Sequence, residues 1–229
     1  MRYALYFTPP EHDPLSRAAA HWLGRDPFDG SALPTPEVEG FDAAEMADVT
    51  AEPRRYGFHA TLKPPFALAA GRSEGELVDA LGRFCGQAPT FTIPSAVIGQ
   101  LGHFFALVPE QPFTPLQAFA AEIVEVFEPY RAPLTDADMA RRKPETLSET
   151  ERANLVRWGY PYVMDEFRFH MTLTGPVKAE RATAMRDLLN SRFADFVGRP
   201  LSISGLALYV EKERGMPFTI HSWLPLSGA

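Results

Sequence analysis

The chain has 229 residues, 45% of them hydrophobic and 22% charged, a globular composition with enough apolar residues for a sizeable core in one large or two small domains. Its formal net charge of −7 disfavours a protein that coats long nucleic acid through the phosphates, because that needs a basic surface; a small anion in a locally basic cleft stays compatible. The lone Cys85 excludes an intramolecular disulfide or a cysteine-rich metal site; without a membrane-length apolar run or a signal-like start, a cytoplasmic protein with no membrane partner is expected.

Tyr3-Ala4-Leu5-Tyr6-Phe7 reads as a strand closed by Pro9-Pro10. Asp13 caps a helix with Pro14 at its first position, Leu15, Ala18, Ala19 and Trp22 on its apolar stripe, and Gly24 at its end. From 25 to 52 no period persists, so a long acidic excursion is expected. Tyr56–Leu62 reads as a strand, and Ser73-Glu74-Gly75-Glu76 as the capping box of a helix carrying Leu77, Leu81 and Phe84 inward. Strands follow at Phe91–Ile98, interrupted by Pro94, and at Phe104–Val108. Thr114-Pro115-Leu116-Gln117 reads as a second capping box. It opens a helix with Leu116, Phe119, Ala120, Ile123, Val124 and Phe127 on one face. Residues 130–166 form a second excursion with a basic turn, Arg141-Arg142-Lys143, and a short helix from Ser148 to Trp158. Phe167–Leu173 is another strand, followed by a helix over 179–192 and strands at Leu201–Tyr209 and Phe218–Leu224.

Two of these strands share one text. Residues 56–66 and 167–177 carry Phe, His, Thr, Leu and Pro at five matching places. Phe91-Thr92-Ile93 answers Leu201-Ser202-Ile203, and Asp13-Pro14-Leu15 answers Thr114-Pro115-Leu116, in the same order along both halves. The chain therefore reads as one duplicated unit over 1–229, with repeat halves at about 2–100 and 103–224. Residues two apart on a strand share a face, so His59 and Thr61 should stand side by side, as should His170 and Thr172. Strand parity adds Arg55, Lys63 and Arg168 to the same polar faces as binders of a phosphate or carboxylate. Tyr162 is a candidate to stack on a base or sugar. Paired imidazoles suit phosphoryl or acyl transfer near neutral pH, since one takes a proton while the other gives one. A threonine hydroxyl beside each can donate to a phosphoryl oxygen as charge builds. No third ligand is spaced to make a metal site of the two histidines. The chain holds no Gly-rich phosphate loop.

The paired His59-Ala60-Thr61-Leu62 and His170-Met171-Thr172-Leu173, in a duplicated frame, resemble the two-histidine (2H) phosphoesterase superfamily. The stretches Tyr56–Phe66 and Arg157–Tyr162 look like a branch of it associated with bacterial phosphonate-utilisation genes. The resemblance implies an α+β fold with two pseudo-twofold lobes and antiparallel sheets around a central cleft. It implies His59 and His170 as an acid/base pair and Thr61 and Thr172 as ligands of phosphoryl oxygens. The activity expected is metal-independent hydrolysis of a small cyclic phosphate, without a cofactor. An RNA or nucleotide 2′,3′-cyclic phosphodiesterase, or a phosphoester-binding protein without turnover, stands as the alternative. The excursions at 25–52 and 130–166 depart from the pattern and are expected to fold over the cleft as lids.

Overall fold

A computed structural model describes residues 1–35 and 37–228. Its strands are β1 (Arg2–Phe7), β2 (Ala60–Phe66), β3 (Phe91–Leu101), β4 (Phe104–Pro109), β5 (Met171–Thr172), β6 (Arg199–Ile203), β7 (Gly205–Glu211) and β8 (Thr219–Pro225). They form one sheet in the order β6-β3-β4-β5-β2-β1-β7-β8, with every neighbouring pair antiparallel. The two sheet halves expected from the repeat are joined at its centre, where Ala60 pairs with Met171. Those residues are counterparts in the two repeat units. At β3–β6 the counterparts meet again, Phe91 with Ile203, Thr92 with Ser202 and Ile93 with Leu201. Self-pairing of equivalent segments, antiparallel and in centred register, is what a twofold axis through both places produces. Only Ser204 separates β6 from β7, yet they stand first and seventh in the strand order. The sheet must therefore curl back on itself.

The helices are α1 (Pro14–Leu23), α2 (Ala43–Tyr56), α3 (Glu74–Cys85), α4 (Thr114–Val126), α5 (Asp136–Arg141), α6 (Glu149–Trp158) and α7 (Ala182–Arg192). The Asp13 carboxylate accepts from the Leu15 N–H at 2.8 Å, and Gly24 ends α1 at φ +76°, as expected from the sequence. Ser73 and Glu76 close a reciprocal capping box on α3, and Ser148 and Glu151 do the same on α6. At α4 the expected box is absent: Phe113 is the cap and makes no side-chain bond, and Pro115 at the start leaves fewer orphan N–H groups. The larger correction is α2. Residues 43–56 are helical, capped by Asp42 accepting from Glu45, although Pro53 lies inside. Only Met46, Val49, Thr50 and Pro53 are buried on it, too thin a stripe to show as a period. Both histidine strands are also shorter than expected, since Tyr56 ends α2 and β5 is two residues long.

Alternation sorts the sheet's two faces. Tyr3, Leu5 and Phe7 of β1 join Leu206, Leu208 and Val210 of β7 in the main core beneath the helices, with Trp22, Phe105 and Phe127. Each such side chain removed from water stabilises the fold by roughly 1.5–3 kcal/mol. The intervening Ala4, Tyr6, Ala207 and Tyr209 point the other way and gather with Phe218 in a small aromatic cluster. That cluster backs the histidine face. None of the described helices is long and apolar enough to cross a membrane.

Candidate active site

The register Ala60–Met171 fixes the site. Continued by one residue each way along antiparallel strands, it sets His59 opposite Thr172 and Thr61 opposite His170. Directly opposed side chains stand about 4.5–5.5 Å apart at Cβ, and diagonal ones about 7–8 Å. The two His-Thr pairs thus form a single four-cornered constellation across the twofold axis, with a threonine at each imidazole's shoulder and the histidines on one diagonal. All four line one cleft of about 330 Å³.

The two rings are held in the same way. The His59 Nδ1–H donates to the Gly57 carbonyl at 2.8 Å, and the His170 Nδ1–H donates to the Arg168 carbonyl at 2.8 Å. A carbonyl only accepts, so each Nδ1 carries a hydrogen and each Nε2 is left toward the cleft. The Thr61 hydroxyl lies 3.3 Å from the His59 Nε2. Gly57 has φ +79° and ψ 174°, and a Cβ there would meet the Pro27 ring at 2.6 Å. Only glycine turns the chain out of α2 and presents that carbonyl to His59.

The surroundings break the symmetry. His59 stacks on Tyr6, with ring centroids 4.0 Å apart and planes at 23°, and has Tyr56 and Tyr209 within 6 Å. His170 has Phe104 at 5.8 Å. Burial pushes His59 down to about 4; its bond to Gly57 opposes the shift and the charge of His170 adds to it. His59 is therefore neutral near pH 7, with a free lone pair on Nε2. Tyr6, buried beneath it, has its hydroxyl pKa raised well above the usual value by the same loss of solvent.

Both excursions reach the cleft. Glu52 at the end of the first, with Pro53 and Tyr56 that follow it on α2, lines the cleft, as do Arg142 and Tyr160 of the second. The Arg142 guanidinium lies over the Tyr160 ring, 4.7 Å from its centroid. The four expected binders fall outside this cleft. Lys63 is buried, with its ammonium on the Val124 carbonyl and the Glu128 carboxylate, both at 2.9 Å. The cause is a register shift between Leu5–Lys63 and Tyr6–Thr61: one step along β1 is two along β2, so the strand's parity flips after Thr61. Arg55 is not on a strand at all; it sits in the last turn of α2 and binds Glu211 at 2.8 Å, outside the cleft. Arg168 and the half-exposed Tyr162 line a side recess that shares Thr61, Tyr160 and His170 with the cleft. Tyr6 and Phe104 went unsingled in the sequence. Tyr6 was legible as the outward alternate of its strand, but its partner was not. Among the described residues no group of three His, Cys, Asp or Glu gathers as a metal site.

A family model described as "Protein of unknown function (DUF1045)" matches residues 61–219. The chain belongs to the DUF1045 family. The matched span takes in Thr61, His170 and Thr172 and begins two residues after His59. This DUF1045 protein is 36% identical, over 99% of its length and 51% of the relative's, to "Ribose 1,5-bisphosphate phosphokinase PhnN" of Janthinobacterium sp. (strain Marseille). It is 32% identical to the protein of that name from Laribacter hongkongensis (strain HLHK9), over 100% of this chain and 53% of the relative. The chain spans about half the length of the curated relatives it matches. Among solved structures it is similar to TT0787 of Thermus thermophilus, at TM-score 0.45 and 16% identity, covering 100% of this chain and 99% of that one. It is also similar to a phosphoesterase, at TM-score 0.43 and 17% identity over 99% and 98%, and to apo E. coli LigT, at 0.43 and 15% over 99% and 97%.

Proposed function

We propose that this protein is a metal-independent cyclic phosphodiesterase of the two-histidine type, acting on a small cyclic phosphate. The observation that carries the reading is the centred β2–β5 register, which brings two His-Thr pairs to the mouth of one cleft. A phosphoryl group between them meets an Nε2 on either side and a hydroxyl on either side. His59, neutral and with its lone pair free, takes the proton from an attacking water. His170 donates a proton from its Nε2 to the leaving ring oxygen, which opens the cyclic diester to a monoester. Thr61 and Thr172 donate to the non-bridging oxygens as charge gathers on them. An anionic phosphoryl group beside His59 also favours its protonated form, so binding substrate strengthens the base that the empty site holds weak.

The curated relatives are named for a phosphokinase. This chain covers about half of them and contains no Gly-x-x-x-x-Gly-Lys-Ser/Thr loop, so we assign that activity to the part of those proteins it does not match. Their name does support a phosphorylated sugar as the substrate class, in keeping with a role in phosphonate catabolism. A turnover screen of sugar and nucleoside cyclic phosphates in the presence of chelator tests the reading. Hydrolysis of at least one, abolished by His170→Ala, is expected. Binding without turnover across the panel would replace the enzyme with a phosphoester-binding protein, and a preference for RNA ends would move it to RNA processing.

A further inference from the structure

Beside the cleft runs a larger groove of about 710 Å³, and Tyr56, Pro64, Pro65 and Arg142 line both. Its wall carries six arginines: Arg2, Arg55, Arg131, Arg141, Arg142 and Arg214. The chain as a whole has a net charge of −7, so this groove reverses the molecule's balance. The three carboxylates that pair with it do not neutralise it, because each is divided between two bases, while Glu52 on the cleft side acts on Arg55 from beyond ion-pair range. Glu211, wholly buried, is shared by Arg2 and Arg55 and also accepts from the Gly215 N–H. Glu128 is shared by Lys63 and Arg131, and Asp138 by Arg141 and Arg214. Each trio keeps one positive charge over. Arg142, at the junction of the two recesses, lies on Tyr160 and has no carboxylate in ion-pair range among the described residues.

Shared carboxylates of this kind order long side chains without cancelling their charge. A set of ordered guanidinium forks matches the oxygens of a phosphate, two N–H groups at a time. We propose that the groove binds a second phosphate of the substrate: a phosphomonoester on the same small molecule whose cyclic diester lies between His59 and His170. The inference rests on the phosphodiesterase reading for the first of the two phosphates. It narrows the substrate class to doubly phosphorylated, sugar- or nucleotide-sized compounds, and it assigns the unpaired Arg142 to the bridge between the two subsites.

Calorimetric titration with adenosine 2′,3′-cyclic phosphate and with the same compound bearing a 5′-phosphate tests it. The 5′-phosphate should tighten binding by about tenfold or more, the worth of one or two charged hydrogen bonds. Arg142→Ala breaks no ion pair and Arg214→Ala leaves Asp138 with Arg141, so both should fold. In each the ratio of the two affinities should fall toward one. A wild-type ratio of one overturns the inference, as does a pair of variants that weaken both ligands alike and keep the ratio. Turnover is followed separately. A high ratio without turnover on any cyclic phosphate would refute the hydrolase and leave the anion groove standing; turnover with a ratio of one would do the reverse.

Discussion

Acidification should destabilise this protein through one identifiable side chain. His59 titrates at about 4 in the folded chain because burial beside Tyr6 disfavours its charged form. An unfolded histidine titrates near 6.5. The folded pKa is thus the lower one, and the unfolded state binds more protons between the two values. The contribution of the neutral ring is fully present above about pH 6.5 and is lost as pH falls toward 4. At pH 5 the unfolded residue is almost fully protonated, while the folded one is about a tenth protonated. The difference between pH 7 and pH 5 then comes to about 2 kcal/mol of unfolding free energy. Urea denaturation of wild type and His59→Gln at both pH values measures it. Glutamine is neutral throughout, and every other titrating group is common to both proteins. The wild type should lose about 2 kcal/mol more than the variant on acidification. Parallel losses would show that His59 is not held neutral by its aromatic surroundings.

Four other outcomes are expected. His59→Ala and His170→Ala should each lower turnover by about 10²–10⁴, and the double variant by less than the product, since the two act as a unit; a near wild-type rate in either would remove the pair from the mechanism. Activity should survive chelation, and its loss in chelator with rescue by zinc or manganese would reveal a metal route. Gly57→Ala should cost about 2–5 kcal/mol in urea, from backbone strain at its positive φ and collision with Pro27, and a stable variant would contradict the geometry drawn for that turn. Lys63→Met should lower stability without raising KM, because its ammonium serves Glu128 and the Val124 carbonyl; a raised KM with unchanged stability would return it to the cleft.

The site's four corners were legible because period-two alternation and a repeated text are both local properties of the chain. His59 with Thr61 and His170 with Thr172 needed only strand parity, and their meeting needed only the duplication. What parity could not carry was a bulge. Lys63 is two residues past Thr61 and should share its face, but the register shift at Leu62 sends it to α4. The place of Arg55 was hidden for another reason: α2 buries so few residues that its helical period is faint, and Pro53 argues against a helix there. The depressed basicity of His59 was invisible because Tyr6, Tyr56 and Tyr209 come from three separate elements. The arginine groove likewise draws on both ends of the chain. Its charge excess follows from how carboxylates are shared, and composition reports only the acidic total.

The strand order also bears on how the molecule can be taken apart. By chain, β3 ends the first repeat unit and β7 belongs to the second; by pairing, β3 lies against β4 and β6 of the second unit, while β7 lies against β1 of the first as well as its own β8. Each unit has given a strand to the other. Cutting between Gly102 and His103 would therefore not release two folded halves. The first fragment would keep β3 without either neighbour and β1 without its β7 edge, and the second would hold β6 without β3 and the β7–β8 hairpin without β1. Both fragments would bare long unpaired edges of the kind that aggregate. In the intact chain the same exchange makes the decisive pairings distant in sequence, so folding should be slow and all-or-none.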